Sequence, residues 1–505
     1  MIFFYGTRFS IQHTLAKVNR FFGRSLPGRP KTRILKTPST THTRRAESMK
    51  TPARVLAVLL CAAALLVLSW GVPYYLMNTG VRVVQPPQST VSVSSVPIAT
   101  PDPQQKATDA LTALRAAGAP EELTAGFLQF CEEQSPGICD ALTGAAETGG
   151  YSQDLFWQVS GKSYLYYQAL YTQPMAENVH DTGATDGPAV LAFTGDVNFA
   201  DDWYNMLHYA QAAGIADCFG ESLLAEMRAA DVLLCNNEFS FSDRGSPMPG
   251  KQFTFRAKTA NVSMWQELGA DIVGLANNHC FDYGEDAFLD TLSTLQSADI
   301  PYVGAGKNLE EAMQPQFFLA GGMKIGYIAC TRAEKYILTP EAGQDSPGVL
   351  RCYDPELAVQ AIRAASEQCD YLVVYVHWGT EGSTVLEQAQ TDLATRFTDA
   401  GADLIVGAHP HILQGAGWRQ DTPVLYSLGN FWFNMETLDS ALLKVTVTEP
   451  GAAGATVQLL PCIQTGGRVS LLEEDADKQR VLDSLNTVME SGYFDENGIL
   501  CRETL

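Results

Sequence analysis

One pattern of apolar and polar positions returns along the second half of the chain. "AADVLLCNNE" (229–238), "GADIVGLANNH" (269–279), "QCDYLVVYVHWG" (368–379) and "GADLIVGAHPH" (401–411) share it. Each follows a helix-patterned segment with a small residue or cysteine, an aspartate, an apolar run and then polar side chains. "VLAFTGDVNF" (190–199) is the same strand ending without the preceding helix. Runs apolar at nearly every position predict strands covered on both faces, and strands alternating with helices predict a layered α/β core. Sites in such cores collect beyond the carboxyl ends of strands, where loops converge. Five strand ends that place polar groups in loops make those groups the candidate chemistry.

Upstream the pattern changes. Helical periodicity over 107–117, 121–133 and 153–171 predicts a small helical region at 106–185 with no evident chemistry. "VVQPPQSTVSVSSVPIATPDPQQ" (83–105) is rich in Pro, Ser and Val and reads as a linker. Residues 55–77 are uncharged and nearly all apolar. As a helix they rise about 34 Å, enough for a hydrocarbon core of about 30 Å. Trp70, Tyr74 and Tyr75 suit an interfacial anchor, and the basic flank precedes the span. The N-terminus is thus expected in the cytoplasm and the main domain outside, held at the cell membrane. Residues 56–68 also resemble a signal-peptide core, but no convincing small-residue cleavage site follows directly, so an uncleaved anchor is the expectation. The expected organisation is a basic tail (1–54), an anchor (55–77), a linker (78–105), the helical region (106–185), the main α/β domain (186–490) and a C-terminal tail (491–505). Met49-Lys50 would also serve as an ordinary start for the anchor.

Composition adjusts this picture in three ways. At 505 residues with 46% hydrophobic and 18% charged side chains, the chain can fold into more than one unit. The net charge is −22, although the first fifty residues carry eleven Lys and Arg against Glu47 alone. The acidic excess lies in the later part, which argues against nucleic acid as a partner. Eleven cysteines show no repeated CxxC spacing, and Cys235, Cys330 and Cys369 sit in or beside strand-like runs. Buried free thiols are expected there, while Cys131 and Cys139 are near enough in sequence to bridge outside the cell.

The strand ends offer Asp196, Asn198, Glu238, Asn278, His279, His377, His409 and His411. A single histidine after a strand is usually a hydrogen-bonded structural residue. Here six of eight histidines follow the linker, and four of those six occupy these ends. In "GAHPH", Pro410 stiffens a loop that, if extended, lets two imidazoles serve adjacent metals. Imidazole, carboxylate and amide oxygen together suit Zn, Mn or Fe, as one or two divalent ions. With two ions, Asp196, Glu238 and a bridging hydroxide leave a charge of roughly +1, which favours an ester, phosphoester or carboxylate-bearing amide as ligand.

"FTGDVNF", "CNNEF", "LANNHCFDYG", "VGAGKNLEEA", "VHWGTE", "GAHPHILQG" and "LYSLGNFWF", in this order, resemble the CapA capsule-synthesis family, associated with poly-γ-glutamate and related to calcineurin-like metallophosphoesterases. The resemblance covers about 190–435. It implies a metallophosphoesterase-like β-sandwich flanked by helices. It also implies roles: Asp196 on a first metal, Glu238 bridging, Asn278, His377 and His409 on a second, and His411 returning to the first. His279 would protonate a leaving group or steady the transition state, oriented by Asp282. Two departures weaken the first metal: Asn198 stands where phosphoesterases place a histidine, and Glu238 replaces an aspartate. Trp378 and Trp432 are candidates for a substrate groove or for packing, and Asn430 for substrate contact or support. "VGAGKNLEEA" lacks phosphate-loop spacing and reads as a turn before a helix capped by Asn308. The implied functions are a metal-dependent hydrolase or transferase of capsule synthesis, a non-catalytic accessory protein, or a general extracytoplasmic metallophosphodiesterase. The implied partners are an anionic polymer or envelope precursor and membrane-bound capsule synthase subunits.

Overall fold

The computed structural model describes residues 102–334 and 338–503. The expected basic tail, the anchor and most of the linker lie outside the described residues. Among the described residues no helix is long and apolar enough to cross a membrane.

Two mixed sheets pack face to face. One runs, in spatial order, Val179–Asp181, Gln316–Ala320, Met323–Thr331, Tyr371–His377, Leu404–Ala408, Thr422–Leu425 and Ala416–Arg419. The other runs Arg468–Leu471, Ala455–Thr465, Leu438–Val447, Ala189–Val197, Val232–Asn237, Ile272–Gly274 and Tyr302–Val303, with Asn430–Trp432 also pairing with Ala189–Val197. Side-chain alternation explains why the central strands are apolar throughout. Leu191, Phe193, Val232 and Leu234 face Tyr327, Val373, Tyr375 and Val406 between the sheets. Ala192, Leu233 and Cys235 turn outward beneath the helices Glu221–Arg228, Ser263–Leu268 and Glu285–Ser297. Leu372, Val374 and Ile405 do the same beneath Glu356–Ser366 and Gln388–Asp399. The result is a four-layer α/β sandwich, with a helical layer outside each sheet.

The aspartate in each repeated segment has one structural job. Asp231, Asp271, Asp370 and Asp403 each accept the backbone N–H of the first residues of the neighbouring parallel strand, at Val190, Leu233, Lys324 and Leu372, over 2.7–2.8 Å. Each also returns its own N–H to the carbonyl of that same residue at 2.7–3.0 Å. Four two-way clasps therefore set parallel register at the amino ends of the strands.

The helical region has its own core of Leu114, Leu128, Leu142, Phe156 and Tyr167. Its first helix, Pro103–Ala116, begins inside the expected linker because Asp102 caps it and proline stands at the first turn. The expected helix at 153–171 is two helices, Asp154–Ser160 and Tyr164–Tyr171. Gly161 at φ +66° ends the first, and Ser163 caps the second. Ser163 also donates to Asp370, which joins the helical region to a strand clasp. Ile138–Gly149, too poor in large apolar residues to stand out in the sequence, is a further helix. Cys131 and Cys139 are free thiols buried in this core. Residues 491–503 are not a tail: Phe494 and Leu500 are buried in the core between the sheets.

Burial pushes Asp403 up to about 6, against the pull of its backbone hydrogen bonds. A folded pKa above the unfolded value near 3.9 means the folded state holds more protons between the two, so this carboxyl's contribution to stability falls as pH rises from about 4 to 6. Asp403→Asn keeps an acceptor oxygen and cannot ionise. Its urea midpoint relative to wild type is expected to rise between pH 4 and 6 and then level off. A constant difference across that range would refute the assignment.

Candidate metal centre

The opposite, carboxyl ends of the strands converge on one pocket. Asp196 closes Ala189–Val197, where Gly195 lets the strand approach the loop at Gly429. A Cβ on Gly195 would lie 1.9 Å from the Gly429 oxygen, which accepts the Asp196 N–H at 2.9 Å. Glu238 follows Val232–Asn237, His377 ends Tyr371–His377, and His409 follows Leu404–Ala408. Asn278 and His279 sit on the loop after Ile272–Gly274.

The loop carrying His409 and His411 is not extended. Both residues have left-handed backbone, at φ +100° and +59°. Such strain costs about 1–3 kcal/mol per residue and is held only where surroundings demand it. Here the two imidazoles stand with ring centroids 6.0 Å apart, and each shares a close group of ligand atoms with Glu238 and another with Glu381. The His409 N–H reaches Asp196 Oδ2 at 3.3 Å, which ties the loop to the first strand.

Three sets of side chains offer ligand atoms all within 4.8 Å of one another: Glu238, His377 and His409; Asp196, Glu238 and His411; and Glu381, His409 and His411. His411 Nδ1 lies 3.0 Å from Asp196 Oδ2 and 2.9 Å from Asn430 Oδ1. His377 Nε2 lies 2.7 Å from Asn278 Oδ1 and 3.5 Å from Glu238 Oε1. Asp196 and Glu238 are both fully buried. Burial works to raise Asp196, but the His411 hydrogen bond and the neighbouring histidines hold it below the usual carboxylate range. Glu238 goes the other way, pushed well up by burial and then by Asp196. Burial lowers His377 well below its ordinary value and His409 to about 3, so both present neutral imidazoles.

Among the described side chains, two buried atoms inside this pocket have no hydrogen-bond partner: Glu238 Oε1 and His409 Nδ1. A buried acceptor without a partner is costly, and neutral imidazoles beside carboxylates are donors that divalent Zn, Mn or Fe accept. The residues present therefore fit a divalent cation.

His279 is held differently. Its Nδ1 lies 2.7 Å from Asp282 Oδ2, and its Nε2 faces the pocket 3.9 Å from Glu238 Oε1. Lys251, almost fully buried, donates to Asp282 Oδ1 at 2.6 Å and to the Asn278 carbonyl. Sequence reasoning missed Lys251, which lies in a turn-rich segment with no local signal. It also missed Asn236, whose amide nitrogen bonds Asp196 Oδ1 at 2.8 Å, and Glu381. Asn236 had a readable cue in the Asn-Asn doublet of "CNNE", which matches that of "ANNH".

Other expected residues make their hydrogen bonds elsewhere. Asn198 spends its side-chain oxygen on the Ala200 N–H at 2.8 Å, closing its own turn. Trp378 and Trp432 are fully buried, and their indole N–H groups donate to the Tyr426 and Gly467 carbonyls. Neither lines a groove; both pack behind the site.

Residues 190–435 match the family model for the bacterial capsule synthesis protein PGA_cap. The chain is 32% identical over 242 residues to the capsule biosynthesis protein CapA of Bacillus anthracis, covering 46% of this chain and 58% of that one. It is 31% identical over 229 residues to the PGA biosynthesis protein CapA of Bacillus subtilis strain 168, covering 44% and 60%. A probable polyglutamine synthesis accessory protein of Mycobacterium tuberculosis is 29% identical over 263 residues, covering 48% and 69%. The domain at 190–435 belongs to the CapA-type capsule-synthesis family. The matches span less than two thirds of either Bacillus protein's own length. Every strand end that supplies the pocket lies inside this CapA-type domain.

Replacing Lys251 by Met leaves Asp282 buried without its cation. Breaking a buried pair from one side is expected to destabilise the fold by about 3 kcal/mol. Urea denaturation checks this, and a change below about 1 kcal/mol would show that the pair does not hold the His279 loop.

Proposed function

We propose that this CapA-type protein is anchored at the cell membrane by residues 55–77. Its extracytoplasmic pocket then serves the metal-dependent hydrolysis or transfer of an anionic polymer or envelope precursor in capsule or poly-γ-glutamate synthesis. The observation that carries the metal part is the pair of partnerless buried atoms, Glu238 Oε1 and His409 Nδ1, among converging imidazoles. Asp196, Glu238, Asn278, His377, His409 and His411 would hold one or two ions of Mn, Fe or Zn. Bound there, such ions would polarise an ester or amide and lower the pKa of water.

The protein's own groups do the remaining work. Lys251 and Asp282 fix the His279 ring, so that Nε2 faces the pocket as the nitrogen able to pass a proton to or from a reacting group. Asn236 and Asn430 hold Asp196 and His411 in place. The pocket's burial keeps bulk water from screening these contacts. The Mycobacterium relative is a probable accessory protein, which supports a second reading, in which the same pocket binds polymer or synthase partners without turnover.

Elemental mass spectrometry of the purified protein, before any ion is added, separates the two. One or two tightly held ions are expected in wild type and none in a folded protein carrying both His409→Ala and His411→Ala. His279→Ala is expected to keep its metal and to lose at least 100-fold in turnover on poly-γ-glutamate or a phosphodiester, the range for a removed acid–base group. A metal-free wild type that also fails to bind on titration favours the accessory reading. Metal loss on His279→Ala would show the division of roles to be wrong.

A further inference from the structure

The donor sets are unequal. Glu238, His377 and His409 form a fully buried set, backed by Asn278 on His377. Asp196, Glu238 and His411 form a second set, beside which the oxygen of Asn198 accepts the Ala200 N–H. On the open side stands Glu381, an exposed residue whose carboxylate shares a 4.8 Å cluster with His409 and His411. The buried partnerless Nδ1 of His409 belongs to the same cluster of side chains.

Glu381 is built into this place. Its loop leaves the strand end at His377, and Gly379 and Gly382 take left-handed φ of +89° and +69° on either side of the Thr380-Glu381 pair. The Gly382 N–H donates to the Pro410 carbonyl at 2.9 Å, fastening the loop to the strained His409–His411 turn. Gln414 fastens it again through the Ser383 carbonyl at 2.8 Å. Trp378, at the root of the loop, is locked to Leu404–Ala408 by its N–H to Ala408 at 3.0 Å. The backbone is fixed twice while the carboxylate stays in solvent.

We propose that Glu381 is a metal ligand on the solvent side of the pocket, acting beside His411 as the displaceable donor of the more exposed ion. This rests on the metal reading above and adds to it. A carboxylate at the open face occupies the coordination position that an anionic substrate needs, so it would hold the ion between encounters and give way to a phosphate or carboxylate group of the substrate. The buried set keeps its ion regardless.

The test uses full-length protein in detergent, stripped with a chelator and titrated with Mn²⁺, with free ion counted by electron paramagnetic resonance. Glu381 is exposed, so Glu381→Gln should fold as wild type does. The expected result is that the weaker-held Mn²⁺ of wild type binds about ten-fold or more weakly in Glu381→Gln, while the tighter one is unchanged. Glu381→Asp should recover part of the loss. Identical titration curves for wild type and Glu381→Gln would overturn the assignment and leave the metal reading standing. Failure of wild type to bind Mn²⁺ at all would overturn both.

Discussion

Two carboxylates buried side by side constrain everything around them. Asp196 and Glu238 come from adjacent parallel strands, are removed from water, and repel each other at short range. Such a pair persists only if neighbouring groups offset its charge. Asn236 donates to Asp196, His411 lies within hydrogen-bond distance of it, and the two lowered imidazoles of His377 and His409 are turned toward the same point. Glu238 keeps an oxygen with nothing to bond. The arrangement of these side chains follows from this electrostatic problem, and the donors they offer are of a kind that fits a divalent cation.

The sandwich separates the two tasks along the strand axis. At the amino ends, Asp231, Asp271, Asp370 and Asp403 clasp each strand to its neighbour and fix register. At the carboxyl ends, the strained turn of His409 and His411, the close approach of Gly195 to Gly429, and the buried Lys251–Asp282 pair position the side chains of the pocket. A register slip of one residue would turn Asp196 and His377 to the opposite faces of their sheets. The clasps at one end therefore protect the geometry at the other. The helical region joins this scheme through Ser163, which bonds one of the clasping aspartates.

Much of the fold was legible because its periodicity is local. The repeated helix, aspartate and apolar run announced parallel strands buried on both faces, since a strand covered by a second sheet and by helices has no polar face to show. The strand ends were legible for the same reason. Lys251 was not, because its partner Asp282 is thirty-one residues away in sequence and only the folded chain brings them together. Glu381 lies within "VHWGTE" but has no cue to set it apart from any exposed acid on a loop. The sequence left the tryptophans open between a groove and packing, because aromatic side chains beside a loop pattern carry no sign of which way they point.

The sequence by itself determined the alternation of strands and helices in the repeated segments, the strand ends that bear polar side chains, and the kind of atoms those ends offer. These depend on spacing within a dozen residues, where the backbone leaves few alternatives. Only the tertiary structure decided that His409 and His411 turn the same way, that Asn198 spends its oxygen on its own turn, and that residues 491–503 belong to the core. Each of these depends on contacts between segments far apart in the chain, where burial and hydrogen-bond competition choose among conformations that the local sequence leaves equally open.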